Sequence, residues 1–344
     1  MTLPVQPPVE PMLARVSDDL PEGEGWVYEP KWDGFRAIVF RDRDELHIAS
    51  RDHKPLQRYF PELPPALAGA LPARCVVDGE VIVGGRQGLD FDALLQRIHP
   101  ARSRVERLAS ETPASFVGFD LLALDDADLQ AEPFSARRAR LEGFLDAPAD
   151  PRASVAPRTQ VLLTPETSDA GEARSWMTEL EDIGLDGIVA KRLDGDYRPG
   201  ERIMAKIKLQ RTADCVVGGY RLSKAGDGVG SLLLGLYDGE GNLQYVGHTS
   251  SFRAAQRRAL LAELRPLEGG TSFAGGRVPG GPSRWARAEE KTWVPLEPRL
   301  VCEVGFDRLM SGRFRHASRF LRWRPDRDPA TCTFDQLRGS TGAR

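Results

Sequence analysis

The segment Lys31-Trp32-Asp33-Gly34-Phe35-Arg36 sets a lysine beside an acid and an arginine, around what reads as a tight turn. A neutral lysine can attack phosphorus, and nearby cations or a metal lower its pKa and neutralise the charge that develops. The cluster therefore suits covalent catalysis on a phosphate. Lysine is scarce here: of 47 basic side chains only seven are lysines, Lys31, Lys54, Lys191, Lys206, Lys208, Lys224 and Lys291. Arginine keeps its proton in any protein environment, whereas a desolvated lysine can release one. A lysine in so arginine-rich a chain marks a place where arginine would not serve. Taken alone, however, the KWDGFR run also fits a charged hairpin.

The flanking pattern supplies the elements that must hold that turn. From Gly25 to Phe40 the chain is aromatic and β-branched and reads as two strands, with Asp33-Gly34 between them. Further strands are expected at Glu45 to Ser50, Cys75 to Val83 and Ser115 to Leu124, with a helix from Phe91 to His99. The first 25 residues, rich in proline, read as an extended leader. Residues Glu172 to Ile183 predict an amphipathic helix capped by Ser168 or Asp169, with Ala173, Trp176, Met177 and Leu180 as its apolar stripe and Gly184 beyond its end. The strands GIVAKR and MAKIKL follow.

Beyond Leu209 the texture changes. Three short strands (ADCVVGGYRL, GSLLLGLYD, LQYVGHT), a helix from Phe252 to about Leu264 and two more strands (WVPLEPRLVCEVGF, RFLRWRP) give the element order of an OB-fold barrel. We therefore expect an α+β chain with one domain over 1–208 and an OB-fold domain over 209–344. GDGVGS, at Gly226 to Ser231, stands between two strands and reads as a hairpin turn, not a phosphate loop.

Composition narrows the classes. Hydrophobic residues are 41% and charged residues 28%, values of an ordinary globular chain. No apolar run is long enough for a membrane helix, and the N-terminus lacks a secretory pattern. The four cysteines form no CxxC pair and the histidines no ligand spacing, so neither a zinc site nor a disulfide framework is expected, and a cytoplasmic location is.

Further motifs stand in fixed order around the lysine: Ser50-Arg51, Asp78-Gly79-Glu80, Phe116-Val-Gly-Phe119-Asp120, Asp186-Gly-Ile-Val-Ala-Lys191, Lys206-Ile-Lys208 and, near the end, RFLRWRPDRD over Arg319 to Asp328. With KWDGFR they resemble the nucleotidyltransferase motifs of ATP-dependent DNA ligases. The likeness runs from Glu29 to Asp328 and is greatest to the small stand-alone bacterial ligases of the LigC type, which lack an N-terminal DNA-binding domain. It implies a nucleotidyltransferase (adenylation) domain of antiparallel sheets with flanking helices, ahead of the OB-fold.

The resemblance also implies roles. Lys31 would attack the α-phosphate of ATP and carry AMP, with Asp33 in the same motif. Glu29 would contact the adenine amino group, Phe119 would stack on the purine and Glu80 would bind the ribose hydroxyls. Lys191 would join the nucleotide site, and Lys206 and Lys208 would reach the α-phosphate. Asp186, with Glu80, would hold Mg²⁺. Arg36 and Arg51 would grip the 5′-phosphate of nicked duplex DNA, and Arg322 and Arg324 in the final motif would swing over the ATP to orient pyrophosphate. Two departures stand out: Asp186 occupies a place where many relatives have glutamate, and Arg327 one where lysine is common. Repair polymerases or other repair proteins are the expected partners, with a monomer as the default. The alternatives are an RNA ligase, a GTP-dependent capping-type nucleotidyltransferase or a non-catalytic OB-type binding module.

The charge of −3 hides an asymmetry. Up to Lys208 there are 26 basic and 36 acidic side chains, a net of −10; beyond it there are 21 and 14, a net of +7. A basic second domain is what a DNA backbone would meet.

Overall fold

The computed structural model describes the chain apart from residues 86–87, 181–182, 186, 209–210, 281–291, 308, 311 and 338–344. It divides into two compact units, Met1–Leu209 and Gln210–Arg344.

In chain order the first unit contains β1 (Leu13–Val16), β2 (Trp26–Pro30), β3 (Phe35–Asp42), β4 (Glu45–Ser50), α1 (Leu63–Ala70), β5 (Arg74–Gly85), β6 (Gly88–Leu89), α2 (Phe91–Gln96) and α3 (Arg102–Glu111). Then come β7 (Ala114–Leu124), β8 (Ala127–Asp128), α4 (Phe134–Leu141), β9 (Val161–Leu163), α5 (Ala170–Glu179), β10 (Gly187–Arg192) and β11 (Arg202–Lys208). One sheet has the order β1-β11-β10-β2; the other runs β4-β3-β5-β7-β8, with β6 on β5 and β9 on β7. Most pairings are antiparallel, while β1–β11 and β7–β9 are parallel. Strand β7 is buried from Ala114 to Ala123, which is why its sequence runs apolar without alternation.

Several expectations need adjusting. The proline-rich start is more than a leader. Residues Leu13–Val16 form β1 on the edge of the β11 sheet, and Leu3, Val5 and Met12 pack in a core with Ile38 and Phe40. The helix expected to reach His99 stops at Gln96. The helix expected over Glu172 to Ile183 starts earlier, at Ala170, because the Asp169 carboxylate accepts from the amides of Gly171 and Glu172 at 2.6 and 3.4 Å. It ends at Glu179, leaving Leu180 just past it.

Helix α4 has no counterpart among the expected elements. It buries Phe134, Arg137, Arg138 and Leu141. That is the i, i+3, i+4, i+7 spacing of a core-facing stripe, with two arginines where apolar residues are usual.

The second unit holds β12 (Arg211–Leu222), β13 (Val229–Tyr237), β14 (Leu243–Thr249), α6 (Ala254–Leu264), β15 (Val294–Pro295), β16 (Val301–Phe306), β17 (Leu309–Met310), β18 (Arg313–Phe314) and β19 (Arg319–Trp323). Its sheet path is β14-β13-β12-β16-β19. Thr249, at the end of β14, bridges in parallel to Ser318, just before β19. The two ends of this five-strand path therefore meet, β15 pairs with β12 as a sixth strand, and the sheet wraps as an OB-fold around Val216, Leu234, Val246 and Val304. GDGVGS is the turn from β12 into β13, with Gly226 at φ +74°. All four cysteines are free and buried. The α+β class and the adenylation-plus-OB architecture expected from the sequence are those found.

Candidate active site

Lys31 follows the last residue of β2, and its amide donates to the Gly187 carbonyl at 2.9 Å. The turn is thereby tied to the start of β10. Gly34 is dictated by packing: a Cβ there would run into the Val81 carbonyl oxygen and come within 2.8 Å of Glu80 Cγ. Gly187 has φ +149° and no room for a Cβ against the Ile207 carbonyl. Glycine at these two motif positions lets the lysine turn lie directly on β5 and lets the start of β10, which holds that turn, lie close against β11.

A cavity of about 240 Å³ opens beside this turn. Its walls include Glu29, Lys31, Arg36, Arg51, Glu80, Phe119, Lys191 and Lys206. Residues scattered from 29 to 206 in the sequence thus share one hollow. Asp33 is buried in the turn itself, and neither it nor Lys208 lines the cavity. Lys206 stands opposite Val16 on β1 and Val189 on β10, whereas Lys208 pairs with Gly187 at the end of the ladder. Asp186 lies outside the described residues.

The electrostatics of the cavity are built from buried pairs. Glu29 is 3% exposed, and the Lys191 ammonium lies 2.9 and 2.8 Å from its two carboxylate oxygens. Lys191 also donates to the Phe119 carbonyl at 3.0 Å and sits 4.8 Å from the centre of that ring. Burial pushes the Glu29 carboxyl up to about 7, against the opposing pull of Lys191 and Arg138. Glu80 is likewise pushed up to about 7 by burial, with Arg36 and Lys31 drawing it down.

Arg36, expected to grip the 5′-phosphate of a nick, lines the cavity and is paired there with a carboxylate. Its Nε and Nη2 donate to the two oxygens of Asp78, each at 2.6 Å, and Nη2 donates also to the Met12 carbonyl at 3.1 Å. The guanidinium lies 4.5 Å from the centre of the Phe119 ring, so that ring has two cations near it. Its partner Asp78 is fully buried and accepts from the Tyr197 hydroxyl at 2.7 Å. Arg51, by contrast, is exposed on the rim.

In the second unit the final-motif arginines are held by carboxylates. Arg322 donates to Glu303 at 2.6 Å. Arg324 donates to Asp214 at 2.9 Å and to Asp326 at 2.8 Å, and Arg327 donates to Asp214 at 3.0 Å.

A lysine turn, a buried acid–lysine pair and an aromatic wall in one cavity, in a chain that also carries an OB-fold unit, have a known counterpart. The family description "ATP dependent DNA ligase domain" matches residues 11–208, and "ATP dependent DNA ligase C terminal region" matches residues 225–327. The chain belongs to the ATP-dependent DNA ligases.

Among curated relatives, this ligase is 52% identical over 347 residues to DNA ligase C1 of Mycolicibacterium smegmatis, covering 98% of this chain and 96% of that one. It is 50% identical over 352 residues to DNA ligase C of Mycobacterium tuberculosis, with the same coverage. Among solved structures it is similar in fold to a Lig E DNA ligase described as binding DNA with a minimal scaffold. The TM-score is 0.55 at 17% identity, over 92% of this chain and 99% of the other.

The ligase also uses residues to which the motifs alone assign no task. Asp78 stands at the head of the Asp78-Gly79-Glu80 motif, and it anchors Arg36. Arg137 donates to both oxygens of Asp120, at 2.7 and 3.0 Å, fixing the acid that follows Phe119. The signal for Arg137 and Arg138 is present in FSARRARL, whose stripe spacing is helical once arginine is admitted to it.

Proposed function

We propose that the ligase seals nicks with 5′-phosphate and 3′-hydroxyl ends by passing AMP through Lys31. ATP use and a DNA substrate follow from the family; the residue roles are our reading. The observation that carries it is the convergence of Lys31, Lys206, Glu80 and the Glu29–Lys191 pair on one cavity.

In the first step Lys31 Nζ forms a bond to the α-phosphorus of ATP, the bond to the β-phosphate oxygen breaks, and pyrophosphate leaves. In the second, an oxygen of the nick 5′-phosphate attacks the AMP phosphorus and Lys31 departs. In the third, the 3′-hydroxyl attacks the 5′-phosphate and AMP is released. Each step displaces a group at phosphorus, so alignment and charge neutralisation carry most of the catalysis. Lys206 supplies positive charge at the α-phosphate from within the cavity, and Lys208 supports it from the end of β11. Phe119 and Lys191 hold the base, Glu29 orients Lys191, and Glu80 binds the ribose hydroxyls. Arg51, exposed on the rim, meets the nick phosphate.

Glu80 presents a carboxylate, the hard oxygen donor that Mg²⁺ takes, on the wall of the cavity, so the site fits Mg²⁺. Glu80 and Asp186 would hold it, and when bound it would neutralise phosphate charge. Among the described residues no cluster of three His, Cys, Asp or Glu forms a cage.

The purified protein, given Mg²⁺ and α-labelled ATP, takes up an acid-labile covalent label, and Lys31→Ala takes up none. Labelling from GTP, or normal labelling of Lys31→Ala, would overturn the assignment. We place the activity in DNA repair, whose synthesis steps leave such nicks, and propose a cytoplasmic monomer recruited by repair proteins. Pulldown from extract and size-exclusion chromatography test those two points.

A further inference from the structure

Helix α4 turns two arginines inward, and they do different things. Arg137 is taken up by Asp120. Arg138, buried to the same degree as Glu29, reaches three ways. Its Nη2 donates to the Thr164 carbonyl at 2.8 Å. Its Nε donates to Glu142 at 2.9 Å and lies 3.4 Å from Glu166. Its Nη1 points toward Glu29, 3.9 Å from Oε1, and has no hydrogen-bond partner.

These contacts lead to both sides of the nucleophilic lysine. Glu29 is two residues before Lys31, and Trp32 is the residue after it. Trp32 is buried, and its indole N–H donates to the Thr164 hydroxyl at 2.9 Å. The residue whose carbonyl holds Arg138 thus holds Trp32 through its side chain. We propose that Arg138 is a positioning residue for adenylation: from behind the cavity it braces Glu29 by charge and Trp32 through Thr164, fixing Lys31 between them. The proposal rests on the reading of Lys31 as the AMP carrier.

The electrostatic half has a definite sense. The charged groups facing Glu29 are Lys191 on β10, Arg138 on α4 and Glu166 ahead of α5. Two cations oppose burial and one carboxylate reinforces it. Without the Arg138 charge, Glu29 keeps its proton to higher pH, and the Lys191 ammonium loses part of the acceptor that orients it. The mechanical half depends on shape, because a guanidinium fork can serve Thr164 and face Glu29 together, whereas an ammonium cannot.

Self-adenylation with labelled ATP, followed across pH and ATP concentration, tests both halves. Arg138→Met should raise the half-saturating ATP concentration about tenfold and move the pH midpoint of labelling up by about one pH unit. Arg138→Lys should keep the wild-type midpoint yet label about tenfold more slowly. Thr164→Val, which retains the carbonyl but frees Trp32, should slow labelling without moving the midpoint. Wild-type half-saturation and midpoint in a folded Arg138→Met protein would overturn the proposal. Should that variant not fold, wild-type rate and midpoint in Arg138→Lys would overturn it equally. Failure of the underlying reading looks different: Lys31→Ala would then label normally, whatever Arg138 does.

Discussion

Arg36 on β3 reaches diagonally across the ladder to Asp78 on β5, two positions from its register partner Glu80, and donates to both carboxylate oxygens at 2.6 Å, with Asp78 wholly buried. Asp78 also takes the Tyr197 hydroxyl, which in turn accepts from the Met12 amide at 3.0 Å. Arg36, although it lines the cavity, is thus clamped from below by a group with no access to water. The pairing raises the Arg36 guanidinium still further above its ordinary range.

Removing the clamp leaves a cation without its partner. Asp78→Ala should cost about 3–5 kcal/mol, the usual consequence of breaking a buried pair from one side. Tyr197→Phe should cost about 2 kcal/mol, for two hydrogen bonds of about 1 kcal/mol each. Urea unfolding of the two variants checks the ranking; equal losses would mean that Asp78 is not the centre of the network.

Arg51 offers the contrast, being exposed on the rim of the cavity. Arg51→Ala should take up AMP from ATP at the wild-type rate yet seal a nicked duplex about tenfold more slowly or worse. Quantifying both on one preparation separates the steps, and normal sealing would remove Arg51 from the nick.

The raised carboxyls make stability depend on pH in a stated direction. Glu29 and Glu80 bind protons up to about 7 in the folded chain against an ordinary 4.5. Between those values the folded state holds protons that the unfolded state has lost, so their contribution is complete below 4.5 and declines as pH rises towards 7. Melting temperature should fall across this window, and Glu29→Gln should flatten the fall by about 2 °C or more. A slope unchanged in Glu29→Gln would contradict the assignment.

DNA affinity should respond steeply to salt despite the acidic total, because the charge is divided between a −10 segment and a +7 segment. Each phosphate neutralised adds about 0.9 to the slope of log affinity against log salt. Titration of a nicked duplex between low and moderate salt measures it; a flat response would mean that the basic unit does not meet the backbone.

Much of this molecule is legible in one dimension. A lysine turn between β-rich segments, motifs in order and a strand–helix–strand rhythm after Leu209 determine the chemistry, the α+β class and the OB-fold. These depend on residue type and local periodicity, which a sequence displays directly. Glu29, Lys31, Glu80, Phe119, Lys191 and Lys206 can be named from their motifs alone. Only the tertiary structure decides which charges neutralise one another. Arg36 goes to Asp78, 42 positions away, and Lys191 to Glu29, 162 positions away. Arg138 reaches Glu29 and Thr164 from a helix whose buried stripe includes arginines. Ion pairing depends on distance and burial in space, and an arginine has the same letter whether it faces water or a carboxylate in the core. For that reason the sequence says what the site is made of, and the fold alone says what holds it in place.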